Sequence, residues 1–79
     1  MTLSTKVETP AGTIHIHVNG EGRQVPSDRS LTALLDWLEV ASERVAVELN
    51  RTLVRRRDWS HTIVQNGSQL EIVEFVGGG

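Results

Sequence analysis

The sequence predicts an α+β domain of two layers, with one main helix lying on one face of a mixed sheet of four to five strands. Three observations predict it. Ile14, Ile16 and Val18 alternate with polar His15, His17 and Asn19, and Val45, Val47 and Leu49 repeat the period of a half-buried strand. Leu31, Leu34, Leu35 and Leu38 recur at helical spacing and share one stripe about 100° wide. Turn dipeptides separate these runs: Asn19-Gly20, Asn50-Arg51 and Asn66-Gly67.

Taken in chain order, residues 1–13 read as a loosely ordered lead-in bounded by Pro10 and Gly12. The first strand holds Ile14 to Val18. Asn19-Gly20 tolerates the positive φ of a tight turn, so a short second strand, Arg23 to Pro26, completes a hairpin. Ser30 is placed to cap a helix from Leu31 to Val40, with Thr32, Asp36 and Glu39 on its polar side. A third strand, Val45 to Leu49, turns at Asn50-Arg51 into a short fourth, Thr52 to Val54. Arg55 to His61 is irregular, with a helical turn around Asp58 and Trp59, and Ile63 and Val64 tuck under the sheet. The last strand runs from Leu70 to Val76, and Gly77, Gly78 and Gly79 follow as a flexible tail. A hairpin followed by a helical crossover fits a β-grasp arrangement over residues 14–76, with the first and last strands parallel at the centre. A ferredoxin-like fold would need two substantial helices, and only one is written here.

Composition narrows the chemistry. The chain has 79 residues, enough for one small core and too few for a deep active-site cleft. Cysteine is absent, which excludes a disulfide scaffold or a thiolate site and favours a reducing, cytoplasmic home. Eight Lys and Arg against ten Asp and Glu give a net charge of −2, which argues against nucleic acid as the main partner. No apolar run has the length of a membrane span, and the first residues lack the pattern of a signal peptide.

Few residues are arranged for catalysis or metal binding. His15 and His17 share a strand face and could offer two metal ligands, but an exposed polar face explains them as well, and no metal is expected. Arg55, Arg56 and Arg57 read either as a solvated connector or as a basic patch for a phosphate or an acidic partner. Trp37 and Trp59 read as core-edge residues rather than stacking platforms.

The glycine tail is the unusual feature. Three extended residues reach about 10 Å, and without side chains they can thread a narrow tunnel. Read as the chain's end, the tail offers the Gly79 carboxylate to another protein's active site as a chemical handle. On the last strand, Leu70 and Ile72 should face the helix, leaving Glu71, Val73 and Phe75 on the opposite face. Val73 and Phe75, with Val76 beside the tail, form an apolar partner-docking patch unless a twist or bulge turns Phe75 inward.

In the order and spacing of these pieces, the chain resembles the ubiquitin-like sulfur carriers of the ThiS type. The resemblance covers Ile14 to Gly79. It rests on Val18-Asn19-Gly20-Glu21, Leu34-Leu35, Val45-Ala46-Val47-Glu48-Leu49-Asn50, Val54-Arg55, Asp58-Trp59, Gly67, the Leu70 to Val76 strand and Gly78-Gly79. Where the family often carries Gly-Asp before the last strand, this chain has Gly67-Ser68, and it has extra N-terminal residues. The resemblance implies a protein co-substrate rather than an enzyme, with no bound cofactor. An E1-like (ThiF-type) adenylating enzyme would use ATP to activate the Gly79 carboxylate, a persulfide donor would convert it to a thiocarboxylate, and a ThiG-type thiazole synthase would accept the sulfur. The same chemistry could serve another acceptor, in molybdopterin, cysteine, tRNA-thiolation or secondary-metabolite synthesis. A lysine-conjugated modifier or a passive interaction module with incidental glycines also fits the composition.

Overall fold

The computed structural model describes residues 12–75. Most of the expected lead-in, Val76 and the three glycines of the tail lie outside the described residues.

Strand β1 (Thr13–Val18) begins one residue before the expected boundary and pairs antiparallel with β2 (Glu21–Pro26) from Thr13↔Pro26 to Val18↔Glu21. Asn19 (φ 51°) and Gly20 (φ 84°) make the two-residue turn, both in the left-handed conformation that matches strand twist. β2 is longer than the expected Arg23 to Pro26. Among its residues only Val25 is buried, so there was no alternation to read; the turn sets its register instead.

Helix α1 spans Leu31–Trp37 and buries Leu31, Leu34 and Leu35. The Ser30 hydroxyl accepts from the Ala33 N–H at 3.2 Å, as an N-cap should. Entry is pinned again by the Leu31 N–H donating to the Thr62 carbonyl at 2.8 Å and the Val64 N–H donating to the Arg29 carbonyl at 3.0 Å. The helix stops at Trp37 rather than Val40. Glu39 turns left-handed at φ 63°, its N–H reaches the Asp36 carbonyl, and the Val40 N–H reaches the Leu35 carbonyl, each at 3.0 Å. This pair of bonds is a Schellman closure, with Glu39 where glycine usually stands. Val40 then folds back onto the core. A helix this short is unstable in isolation, so burial of its leucines against the sheet sustains it.

A 3₁₀ turn at Ser42–Arg44 leads into β3 (Val45–Leu49). Asn50 (φ 52°) and Arg51 (φ 72°) form a second two-residue turn into β4 (Thr52–Val54). A second 3₁₀ helix, Arg56–His61, delivers Trp59 into the core. Trp59 is more than a core-edge residue: it is 4% exposed, whereas Trp37 stays at 46%. Val64 is buried as expected, but Ile63 is 44% exposed, because its backbone bridges Ser30 and leaves the side chain outside.

The final strand, β5 (Gln69–Glu74), starts before the expected Leu70 and ends before Val76. The sheet order is β2-β1-β5-β3-β4. β5 is central, parallel to β1 through His17↔Gln69 and Val18↔Leu70 and antiparallel to β3 from Val45↔Glu74 to Leu49↔Leu70. One mixed five-stranded sheet with one main helix on one face is the β-grasp architecture that the element order predicts. Gly67-Ser68, which stands where the family often carries Gly-Asp, forms the turn before β5. Gly67 takes φ 85°, and the buried Ser68 hydroxyl accepts from the Gln65 N–H at 3.3 Å.

Candidate functional site

The candidate site is the end of β5 and the sheet face beside it, because this strand leads directly into the glycine tail. Residues along β5 alternate in where their backbone groups point. Gln69 is bonded to Asn50 and Phe75 to Arg44 (Phe75 N–H to the Arg44 carbonyl, 2.7 Å), which aims the backbone groups of the odd-numbered residues at β3. The even-numbered residues face β1. There the Leu70 carbonyl accepts from the Asn19 N–H at 2.8 Å. β1 then turns away, and the Asn19 side chain takes its place. Its Oδ1 accepts from the Ile72 N–H at 2.7 Å and its Nδ2 donates to the Ile72 carbonyl at 3.3 Å. One asparagine thus closes the turn and extends the ladder along the strand that carries the tail.

Side chains alternate with the same period. Leu70 is fully buried and Ile72 half-buried beneath the helix, while Glu71, Val73 and Phe75 stand on the open face. Val73 is 58% and Phe75 54% exposed, and no twist or bulge turns Phe75 inward. Val76, the third residue of the expected patch, and Gly77, Gly78 and Gly79 lie outside the described residues.

The structure adds residues that sequence reasoning missed. Ala46 pairs with Val73, and Leu53, 61% exposed, pairs with Glu48, which in turn pairs with Glu71. The open face therefore carries two neighbouring carboxylates in mid-sheet and an apolar strip toward the tail. Leu53 was invisible because a three-residue strand is too short to show alternation. Asn19 gave only a turn signal, since its long-range bonds depend on the parallel pairing of β1 and β5.

The arginine run separates into different roles. Arg56 Nη2 donates to the Ser42 carbonyl at 2.7 Å, and its guanidinium lies 4.6 Å from the Trp59 ring centroid. The Trp59 Nε1–H donates to the Val54 carbonyl at 2.9 Å, so Arg56 and Trp59 lock the second 3₁₀ helix against the sheet edge. Arg55 and Arg57 are exposed. All three border a shallow groove of about 390 Å³ together with Ala46, Leu53 and Phe75.

His15 and His17 are both exposed on β1. Among the described residues no three His, Cys, Asp or Glu side chains gather as a metal site, and no helix is long and apolar enough to cross a membrane. The arrangement presents an exposed apolar surface, Val73 and Phe75, at the end of the strand that leads to the glycines.

Comparison with known proteins agrees with this geometry. Residues 16–79 match the ThiS family. The crystal structure of the thiamine biosynthesis protein ThiS from Geobacter metallireducens superposes with a TM-score of 0.76 at 36% identity, covering 84% of this chain and all of that one. The sulfur carrier protein ThiS of Escherichia coli is 27% identical over 66 residues, 84% of this chain and 100% of that protein. A thiazole synthase from Magnetococcus marinus is 41% identical over 64 residues, which is 81% of this chain but only 20% of the synthase's length. This chain belongs to the ThiS family.

Proposed function

We propose that the chain carries sulfur as a thiocarboxylate on Gly79 and donates it to a thiazole synthase. The coarse part follows from family membership: a small sulfur carrier of thiamine biosynthesis rather than an enzyme. The observation that carries the finer reading is that the family match runs through the glycines to Gly79, directly beyond a central strand flanked by exposed apolar residues.

The chemistry follows from the functional group. A carboxylate is a poor electrophile, so an E1-like adenylating enzyme joins it to AMP from ATP, releasing pyrophosphate. The terminal sulfur of a persulfide attacks the acyl carbon and AMP leaves. A thiol then cleaves the resulting sulfur–sulfur bond, leaving a thiocarboxylate on Gly79 and a disulfide on the donor side. The thiocarboxylate sulfur is the nucleophile handed to the acceptor. This chain contributes positioning: Asn19 and β3 hold β5 straight, and the open face docks while the tail enters the partner's site. ATP binds the partner, and this chain holds no cofactor of its own. Thiazole synthases that contain a stretch similar to this chain support thiazole formation over the other acceptors.

Intact-mass measurement tests the reading. Incubated with the adenylating enzyme, ATP and a persulfide source, the chain gains the mass of one oxygen replaced by sulfur. A variant lacking Gly79 gains nothing while keeping its melting temperature. No mass change in a mixture that thiolates another ThiS protein would refute the proposal.

A further inference from the structure

The sequence holds three asparagines, Asn19, Asn50 and Asn66, and all three stand in turns. Each Oδ1 accepts a main-chain N–H from one of the two central parallel strands: Asn19 from Ile72 at 2.7 Å, Asn50 from Gln69 at 2.8 Å and Asn66 from His15 at 2.8 Å. Asn19 and Asn66 precede glycine. In that dipeptide the following backbone nitrogen attacks the side-chain amide carbon most readily, because no Cβ crowds its approach. Space does not separate the two sites. Both dipeptides are exposed, and a Cβ built on Gly20 or Gly67 would meet nothing within 4 Å. Hydrogen bonding does separate them. The Gly67 N–H, the nucleophile at Asn66, donates to the His15 carbonyl at 2.7 Å, so His15 holds both reacting groups. The Gly20 N–H has no partner among the described residues. At Asn19 only the side chain is fastened, by Ile72, and the second of its two bonds is long at 3.3 Å.

We propose that Asn19-Gly20 is a site of spontaneous deamidation, and that its conversion unfastens the end of β5. The Gly20 nitrogen gives its proton to hydroxide and attacks Asn19 Cγ. The bond from Cγ to Nδ2 breaks, and ammonia leaves with a proton from water. Water then opens the five-membered succinimide at either carbonyl, giving aspartate or isoaspartate with no change of oxidation state. Both products lose Nδ2, the donor to the Ile72 carbonyl. Isoaspartate also routes the main chain through Cβ, which adds a backbone atom to a turn of only two residues and draws the carboxylate away from the Ile72 N–H. Asn50 is a control within the same chain. Its turn has nearly the same shape, φ 52° followed by 72° against 51° followed by 84°, but the attacking nitrogen belongs to Arg51, whose side chain crowds the approach.

The experiment ages the full chain in mildly alkaline buffer, folded and in urea, and follows each asparagine by peptide mass mapping and by labelling with an isoaspartate methyltransferase. In the folded chain Asn19 is expected to convert about fivefold faster than Asn66, the factor that one net hydrogen bond represents. Asn50 should stay an amide over the same period. In urea the two Asn-Gly pairs should convert at nearly equal rates, both faster than in the folded chain, since no bond then holds either site. Folded chain in which Asn66 converts as fast as Asn19, or in which Asn19 lasts as long as Asn50, overturns the site. Hydrogen exchange on the converted chain, separated by ion exchange, tests the consequence. The Ile72 amide should lose protection and the melting temperature should fall. Conversion at Asn19 with Ile72 still protected overturns the release of β5.

Discussion

Asn19 offers the sharpest test of how the tail-bearing strand is held. Replacing it with Ala removes two bonds to Ile72, at 2.7 and 3.3 Å, and leaves a residue with a Cβ but no side-chain amide at φ 51°. Each exposed-site bond is worth about 1 kcal/mol net, and forcing Ala into the left-handed region costs about 1 kcal/mol more. Asn19→Ala should therefore lose about 3 kcal/mol. Asn19→Gly keeps the turn and should lose about 2 kcal/mol, the bonds alone. Asn19→Asp keeps the turn and the short bond from the Ile72 N–H. It sets an oxygen against the Ile72 carbonyl, so its loss should be smallest, at about 1 kcal/mol. Urea unfolding followed by circular dichroism reads these values; with a slope near 1 kcal/mol per molar, the midpoints separate by about 1 M at each step. Equal losses for Gly and Ala would show that the left-handed turn contributes nothing. Losses below about 0.5 kcal/mol throughout would show that water replaces the side chain at Ile72 without cost.

Other substitutions probe the rest of the framework. Leu34→Ala, at a fully buried position in the helix stripe, should cost about 3 kcal/mol, read as a fall in melting temperature with the tail chemistry intact. Arg51→Gly relieves a non-glycine residue at φ 72° in a two-residue turn and should stabilise by about 1 kcal/mol; a loss of stability would mean that the Arg51 side chain is needed where it stands. Trp59→Phe strips the donor from the Val54 carbonyl and shrinks the surface under Arg56, costing about 2 kcal/mol by thermal unfolding.

What could be read from the sequence was what repeats or what turns. Ile14, Ile16 and Val18 announced β1, the leucines announced α1, and Asn19-Gly20 announced the hairpin, because burial on one face and positive φ each restrict residue type locally. What could not be read depends on tertiary partners. The helix end at Trp37 carries no glycine signal, since Glu39 occupies the left-handed position and bonds to Asp36 and Leu35 stabilise it there. β2 shows no alternation because most of it faces water on both sides. The candidate site divides the same way. Exposure of Val73 and Phe75 followed from strand parity, whereas the grouping of Leu53 and Arg57 with Phe75 around one groove depends on how β4 and the 3₁₀ helix after it lie beside the other strands. Arg56 looked like its neighbours until the Trp59 ring beneath it came into view.

The parallel pairing of β1 with β5 has a mechanical consequence. The two strands run side by side in the same direction, so tension applied between the front of β1 and the far end of β5 loads their shared bonds in shear, all together, instead of unzipping them one after another. The antiparallel β3 braces the opposite side of β5 along its length. A strand set into the middle of the sheet in this way resists being drawn out of it while the body around it stays folded.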